Sequence, residues 1–191
     1  EVGLYIQNNY WGTYINNVNA TSNYDYGIRL NYASYVNMTD TNMTGNYDAN
    51  FIMEGFYPTN TIDTSNIVDN EYAVYYNYSI SDFVYDKVSA PDAGTIYCAY
   101  CNNLTIKDLN LSHVNDAGIY FYQTDNSRID NVNVSKNVKG VYLSYSDNNN
   151  ISSLIAFKNK YGVYLSKAVS NEFTSISSDE NTQDGFYITN S

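Results

Sequence analysis

The sequence contains a single histidine, two cysteines and two prolines among its 191 residues. One histidine is too few for the multi-histidine sites that commonly bind zinc or copper. Basic residues are also scarce, because 9 Lys and Arg face 20 Asp and Glu, for a net charge of −11. This balance disfavours a nucleic-acid partner, since phosphate binding needs a basic surface. No apolar run approaches the roughly 18 residues of a transmembrane helix, so no transmembrane segment is predicted.

The chain is rich in tyrosine, with 23 Tyr residues, and it also contains many Asn, Ser and Thr. Because so many aromatic and β-branched residues can bury a substantial core, we expect a folded chain and not a disordered one. The charge is uneven along the sequence. Residues 1–86 carry ten acidic residues and one basic residue, whereas residues 87–191 carry ten acidic and eight basic residues. The first half is therefore strongly acidic and the second half is nearly balanced.

The strongest pattern is a repeat in which a small residue, an apolar residue, Tyr and a large apolar residue recur every 21 to 24 residues. A period in this range signals a repeat architecture. Within each unit apolar residues alternate with Tyr, as in a strand, and no segment has helical periodicity. The small residue of successive units lies at Gly3, Gly27, Ala49, Ala73, Gly94, Gly118, Gly140, Gly162 and Gly185.

Such units predict an all-β fold, a right-handed parallel β-helix of about eight rungs of roughly 22 residues without terminal caps. We expect one domain over residues 1–191. An antiparallel sandwich is the alternative, but its strands would not repeat the same residues at a fixed phase. Asn recurs shortly before the small residue of most units, and stacked Asn side chains can hydrogen-bond along the axis of such a helix.

The rung pattern resembles the NosD-type parallel β-helix repeat superfamily, which includes carbohydrate-binding and sugar-hydrolase members. The pattern is Gly, Ile or Val, Tyr, and Leu or Phe, followed by "NNI", "NNL" or "NEF" and a late Asn, and it covers essentially the whole chain. The resemblance implies the fold. It leaves the function open among polysaccharide enzymes, adhesins, accessory copper proteins and surface-layer proteins. Chains rich in Tyr, Asn and glycosylation sequons look most like archaeal surface proteins, including methanogen adhesin-like, S-layer and sheath proteins.

Residues that would carry out catalysis are hard to find. A polysaccharide-cleaving β-helix needs clustered carboxylates, and here the acidic residues are scattered among the rungs. His113 stands at a turn-like position in "NLSHVND" and is interpreted as a surface or corner residue. We therefore predict that the protein is not an enzyme, with no catalytic residues, no metal ligands and no cofactor.

The motif "CAYC" places two cysteines, Cys98 and Cys101, at positions that the repeat predicts to face inward. Without a second Cys pair, a tetrahedral zinc site within one chain is unsupported. Two interpretations remain, buried structural thiols and a local or intersubunit disulfide, and both assign the pair a structural role.

Two sets of surface residues are predicted. Tyrosines at one phase of successive rungs should stack as an outward ladder, which favours a contact surface for sugar rings or for a neighbouring copy. The ladder comprises Tyr97, Tyr120, Tyr142, Tyr164 and Tyr187. The N-glycosylation pattern occurs at Asn19, Asn37, Asn42, Asn77, Asn103, Asn110, Asn133 and Asn150, although some matches are expected by chance in such a chain.

The sequons, the acidic character and the lack of a cytosolic enzyme motif favour an extracellular protein at the cell surface. The chain begins and stops in the same strand of the repeat, "GLYI" and "GFYITNS", without a cap. We therefore expect head-to-tail association of copies into a homopolymer, as a subunit of a sheath, tube or S-layer-like coat. A glycan-binding adhesin or a polysaccharide-degrading enzyme is the alternative, and glycans are accordingly a second class of expected partner.

Overall fold

The computed structural model describes residues 1–55 and 59–191. Every regular element in these ranges is a β-strand, and the strands pair in parallel with one exception. Successive turns of the chain stack on one another as a β-solenoid of about eight turns. The predicted all-β fold, a stack of parallel strands, is therefore confirmed.

The first part of the stack, which we call the N-terminal block, comprises residues 1–55 and 59–68, and these described residues form three rungs. Leu4 pairs with Ile28, and Ile28 pairs with Phe51. The predicted phase is wrong by one residue at the third rung, because Ala49 pairs with Tyr26 and not with Gly27. Its strands are β1 (Leu4–Gln7), β2 (Thr13–Asn16), β3 (Tyr26–Asn31), β4 (Val36–Thr39), β5 (Asn42–Met43), β6 (Ala49–Glu54), β7 (Thr61–Ile62) and β8 (Ile67–Val68).

The second part, the C-terminal block, comprises residues 72–191. Ile119 pairs with Val141 and Val141 with Val163, and all three side chains are fully buried. Its strands are β9 (Tyr72–Tyr78), β10 (Val84–Tyr85), β11 (Ala93–Ala99), β12 (Thr105–Lys107), β13 (Ala117–Tyr122), β14 (Arg128–Asp130), β15 (Lys139–Ser144), β16 (Asn150–Ser152), β17 (Tyr161–Ser166), β18 (Glu172–Thr174) and β19 (Asp184–Thr189).

A hairpin joins the two blocks. Strand β8 pairs with β9 in antiparallel orientation, with Val68 opposite Tyr72. Between them Asp69 and Asn70 both have positive φ angles, 50° and 70°, and the Glu71 amide donates to the Val68 carbonyl. Two successive left-handed residues suit a short antiparallel hairpin. The chain therefore reverses its strand direction here while the repeat continues in the sequence.

The hairpin places the two blocks on opposite faces of one shared sheet. This sheet has eight strands in the order β19-β17-β15-β13-β11-β9-β8-β5. Side chains along a strand alternate between faces. In β9 and β11, Tyr75 and Cys98 contact the core of the C-terminal block, whereas Val74 and Tyr97 belong to the core that contains Met53 of the N-terminal block.

Close packing between rungs requires glycine at two of the small positions, Gly140 and Gly162. A Cβ atom added at Gly140 would lie 2.5 Å from the carbonyl oxygen of Gly162, and at Gly162 it would lie 2.6 Å from that of Gly185. Neither glycine has a positive φ angle. Glycine is needed at these positions because the next rung leaves no space for a side chain.

The late Asn residues form the expected ladder along the axis. The amide N–H of Asn137 donates to Oδ1 of Asn159 at 2.8 Å, and that of Asn159 donates to Oδ1 of Asn181 at 2.9 Å. Each Asn thus satisfies a backbone donor of the previous rung, which would otherwise be buried and unpaired. The left-handed residue of these corners is the one before the Asn, at Lys136, Lys158 and Glu180.

Candidate binding cleft

The predicted tyrosine ladder runs along the shared sheet. Neighbouring rings are 5.8, 4.2, 5.0 and 4.7 Å apart between centroids, and the residues pair directly in the sheet. The five rings therefore lie next to one another on successive rungs, but only the pairs Tyr120–Tyr142 and Tyr164–Tyr187 are stacked, while the other two contacts are tilted or edge to face. In order, the contacts join Tyr97, Tyr120, Tyr142, Tyr164 and Tyr187.

The outward exposure predicted for this ladder is wrong for its first two members. Tyr97 is 0% exposed and Tyr120 is 7% exposed. The reason is that the N-terminal block lies on this face of the sheet. The Phe51 ring meets the Tyr97 ring edge to face at 5.4 Å, and the Tyr97 hydroxyl donates to the Phe51 carbonyl at 3.4 Å. Tyr142 and Tyr164 are half-buried, and Tyr187 is exposed.

Beyond this contact the two blocks diverge and leave a cleft of about 560 Å³. Arg29, Asn31 and Glu54 of the N-terminal block lie on one side of the cleft. Lining residues from the C-terminal block include Asp116, Tyr120, Tyr122, Lys139, Tyr142, Ser144, Tyr145, Tyr164, Ser166 and Lys167. The cleft therefore exists only because both blocks are present.

Two members of a second tyrosine column, Tyr122 and Tyr145, line the same cleft. The members of this column lie at the ends of strands of the shared sheet or in the turns that follow these strands. Neighbouring ring centroids are 5.0, 5.6 and 5.9 Å apart. The column comprises Tyr78, Tyr100, Tyr122 and Tyr145. Two aromatic columns side by side present both ring faces and phenol hydroxyls to a ligand.

Ion pairs hold the polar groups of the cleft. Arg29 donates to Glu54 at 2.9 Å, and Lys139 donates to Asp116 at 2.7 Å. Burial by itself lowers the pKa of the Lys139 ammonium, but the adjacent Asp116 carboxylate outweighs this effect and raises it. Lys139 also lies 5.1 Å from the centroid of the Tyr142 ring, as a cation–π contact. Lys139 is therefore charged and fixed in position.

Lys167 is bound differently from the other cations of the cleft. Its ammonium donates to the Tyr145 hydroxyl at 2.6 Å and lies 4.7 Å from the centroid of the same ring. The hydrogen bond to Tyr145 raises the pKa of Lys167. Within residues 1–55 and 59–191, no carboxylate forms an ion pair with it.

The structure joins Cys98 and Cys101 in a disulfide. Both cysteines are almost completely buried and belong to the core of the C-terminal block. Of the two interpretations left open by the sequence, the structure has the local disulfide. This bond lies on the face of the sheet opposite the cleft, because Cys98 and Tyr97 are neighbours in β11.

Of the two alternatives for His113, a surface or a corner residue, the structure has the corner, because His113 lies in a bend before β13 and is only 7% exposed, at the junction of the blocks. Its Nδ1 lies 3.4 Å from an Asp69 carboxylate oxygen, and its ring lies 3.8 Å from that of Tyr72 between centroids. Burial raises the pKa of Asp69, but hydrogen bonds from His113, Asn50 and the Val114 amide outweigh it, so that this pKa lies below its ordinary value. These contacts fix the hairpin turn against the C-terminal block.

The candidate glycosylation sites differ in accessibility. Five acceptor asparagines are exposed, namely Asn19, Asn37, Asn103, Asn110 and Asn150. Asn42, Asn77 and Asn133 are only partly exposed. None of the eight lines the cleft. Modification of these residues stays a prediction.

A protein-family model described as "Periplasmic copper-binding protein (NosD)" matches residues 84–191, which make up most of the C-terminal block. No curated protein and no solved structure matches the chain. No helix among the described residues is long and apolar enough to cross a membrane.

The residues of this chain do not fit a copper site. Copper in proteins is bound mainly by His, Cys and Met. The single His113 contacts Asp69 and Tyr72, and both cysteines are used in the disulfide. The three methionines, Met38, Met43 and Met53, are fully buried in the N-terminal block, outside the matched segment. Within the described ranges no three His, Cys, Asp or Glu side chains are grouped as metal ligands would be.

Proposed function

Because the chain belongs to the NosD family of parallel β-helix proteins, we propose that it is a non-enzymatic protein of the cell surface that binds glycans in the cleft between its two blocks. The observation that carries this proposal is that tyrosines of two neighbouring columns line a cleft of about 560 Å³, namely Tyr142 and Tyr164 of the ladder and Tyr122 and Tyr145 of the second column. Ligand sites in proteins commonly have volumes of about 300 to 1,000 Å³.

The chemistry of the cleft suits a sugar. The C–H faces of a pyranose ring are apolar and stack on aromatic rings, while its hydroxyls need hydrogen-bond partners. Tyr142 and Tyr164 supply ring faces, and Asn31, Ser144 and Ser166 supply polar groups beside them. A site with aromatic walls and a few polar groups is the usual composition of a small-molecule site.

We propose binding without catalysis because both carboxylates of the cleft are already engaged. Glu54 accepts from Arg29 and Asp116 accepts from Lys139, at 2.9 and 2.7 Å. A glycosidase needs one carboxyl that is free to give up a proton and one that is free to act as base or nucleophile. Incubation with oligosaccharides should leave them intact by mass spectrometry, and cleavage products that disappear in Asp116→Asn would contradict this part of the proposal.

Binding is tested by replacing one cleft tyrosine. We expect Tyr164→Ala to weaken oligosaccharide binding by about tenfold in calorimetric titration, because one stacking face is lost. The control is Tyr24→Ala, since Tyr24 is exposed and stacks on Tyr47 at 5.5 Å but does not line the cleft. Equal loss of affinity in both variants, or no binding of any oligosaccharide by the unmodified protein, would refute the glycan-binding proposal.

A second proposed role is that of a subunit in an extracellular homopolymer, such as a sheath, tube or S-layer-like coat. Trp11 and Tyr14 of the N-terminal block are 82% and 83% exposed, and such aromatic surface favours a protein contact. The acidic first half and the more basic second half of the sequence would attract one another between copies. Light scattering should then show mass that increases with concentration, and Trp11→Ser with Tyr14→Ser should abolish the increase. A constant monomer mass with no ordered polymer in electron microscopy would exclude this role.

A further inference from the structure

The cleft collects positive charge in a protein that has little of it. Three of its lining side chains are cationic, Arg29, Lys139 and Lys167, and two are anionic, Glu54 and Asp116, which leaves a local charge of +1. The whole chain carries 9 basic residues and a net charge of −11. A third of the basic residues thus line one cleft, although the overall field of the protein repels anions.

The three cations are not equivalent. Arg29 and Lys139 each have a carboxylate partner within 3 Å, so their charges are balanced inside the protein. Lys167 forms no ion pair with a carboxylate of the described residues and is held only by the hydroxyl and ring of Tyr145. Its charge is therefore the one that a ligand can neutralise.

The position of Lys167 links this charge to the tyrosine columns. Lys167 follows directly after strand β17, which contains Tyr164, and its ammonium is bound to Tyr145 of the second column. Because Tyr145 holds the ammonium, less side-chain entropy is lost when an anion binds. Tyr164 and Lys167 both line the cleft, so one ligand there can contact both side chains.

From this arrangement we propose that the ligand of the cleft is an acidic saccharide, whose anionic group forms an ion pair with Lys167 while its ring stacks on the tyrosines. This inference rests on the proposed glycan-binding function and specifies its ligand class. A carboxylate and a sulfate on the sugar share the required chemistry, which is a negative group beside an apolar ring face.

The chain offers a closely matched control lysine. Lys158 has a left-handed backbone with φ of 57°, compared with 53° for Lys167. Its ammonium lies 4.7 Å from the centroid of the Phe157 ring, the same distance as between Lys167 and Tyr145. Lys158 does not line the cleft. Unlike Lys167, Lys158 also lies 3.8 Å from a carboxylate oxygen of Glu180. The variants Lys167→Gln and Lys158→Gln therefore each remove one lysine charge, the first inside the cleft and the second outside it.

The experiment is calorimetric titration of the full chain and both variants with four probes. These are a uronic-acid trisaccharide, the neutral trisaccharide of the same linkage and ring stereochemistry, a sulfated neutral trisaccharide, and hexaglutamate. We expect the acidic sugars to bind at least tenfold more tightly than the neutral one, and Lys167→Gln to remove most of that difference. Lys158→Gln should bind all four probes as the unmodified protein does. The stronger of the two acidic sugars identifies which anionic group is recognised.

The outcomes separate this inference from the function on which it rests. Equal affinity for neutral and acidic sugars would overturn the acidic-saccharide assignment and leave glycan binding intact. An equal effect of both lysine variants would overturn the role of Lys167. Tighter binding of hexaglutamate than of any sugar would show that the cleft recognises charge on a peptide, and it would also overturn the assignment. Absence of binding by every sugar would refute the proposed function itself.

Discussion

The two blocks of the β-helix complete their cores in different ways. The core of the C-terminal block consists only of residues from that block, with aliphatic side chains stacked from rung to rung. The core of the N-terminal block includes Val74, Tyr97 and Tyr120, which belong to the C-terminal block. The core of the N-terminal block therefore depends on the C-terminal block and not the reverse. Its three rungs are completed by side chains on the face of the shared sheet that points away from the C-terminal core.

This difference explains why tyrosines of one ladder have different roles. Tyr97 and Tyr120 are buried under the N-terminal block and contribute to its core, whereas Tyr142 and Tyr164 border the cleft. Position in the repeat sets the direction of each side chain. The neighbouring block decides whether that side chain is buried or available for a ligand.

The largest expected effect tests the dependence itself. Tyr97→Ala removes a fully buried aromatic side chain between the blocks, which we expect to lower the free energy of unfolding by about 4 kcal/mol. Tyr187→Ala, an exposed member of the same ladder, should cost less than about 1 kcal/mol. Urea denaturation measures both. In Tyr97→Ala, hydrogen exchange should accelerate in strands β3 and β6 before β15 and β17, and uniform acceleration would contradict one-way dependence.

A second variant tests the tight stacking of the C-terminal block. Gly140→Ala would place a Cβ 2.5 Å from the Gly162 carbonyl oxygen, and since this neighbour is backbone, we expect a loss of about 3 kcal/mol in the free energy of unfolding. Gly12 of the N-terminal block has no atom within 4 Å of such a Cβ. Gly12→Ala should therefore change the stability by less than about 1 kcal/mol. Similar thermal midpoints for the two variants would show that the rungs can move apart.

The disulfide gives a third, smaller effect confined to the C-terminal block. The double variant Cys98→Ala and Cys101→Ala should lose about 2 kcal/mol of stability, since the bond closes only a short loop. Denaturant unfolding of the oxidised protein, the reduced protein and the variant measures this loss. If reduction left the stability unchanged, the bond would not constrain the unfolded chain.

The smallest predicted effect concerns the junction and depends on pH. The pKa of Asp69 lies below its ordinary value of 3.8 in the folded protein, so the folded state favours the ionised carboxyl. The corresponding stability is present above pH 3.8 and is lost as the pH falls through the folded-state pKa. We expect unfolding measurements to show less acid destabilisation in Asp69→Asn than in the unmodified protein. An identical pH profile for both proteins would contradict the contribution of this carboxylate.

The sequence predicted the fold well because the repeat determines it. The spacing of Gly118, Gly140 and Gly162 sets the rung length, and the alternation around Tyr120, Tyr142 and Tyr164 sets the direction of each side chain. These are local properties of the strand. The glycine spacing and the apolar–Tyr alternation can therefore be recognised in the sequence wherever one rung packs against the next.

The reversal between the blocks was missed because the repeat continues through it. Ala73 follows Ala49 at the usual interval in the sequence, although strand β9, which contains Ala73, runs antiparallel to β8. A signal was present in "IVDNEY", since Asp-Asn between two apolar segments favours the left-handed residues of a hairpin. In a chain with so many Asn residues, this turn was not distinguished from an ordinary corner of the helix.

The cleft was beyond prediction from one sequence for a related reason. Arg29 and Lys139 are more than 100 residues apart, and no repeat relates them. They meet in one cleft because the hairpin places the N-terminal block over the tyrosine face of the shared sheet. Likewise, the contact between His113 and Asp69 depends on a junction that the period does not reveal.

The shared sheet also has a mechanical consequence. From β5 to β19 the ladder of backbone hydrogen bonds is continuous, so the blocks are coupled by paired strands as well as by the short segment of chain between them. A pulling force applied to one block is therefore transmitted to the other through several hydrogen bonds loaded together. This arrangement should resist a shear force that would separate two domains joined only by a tether.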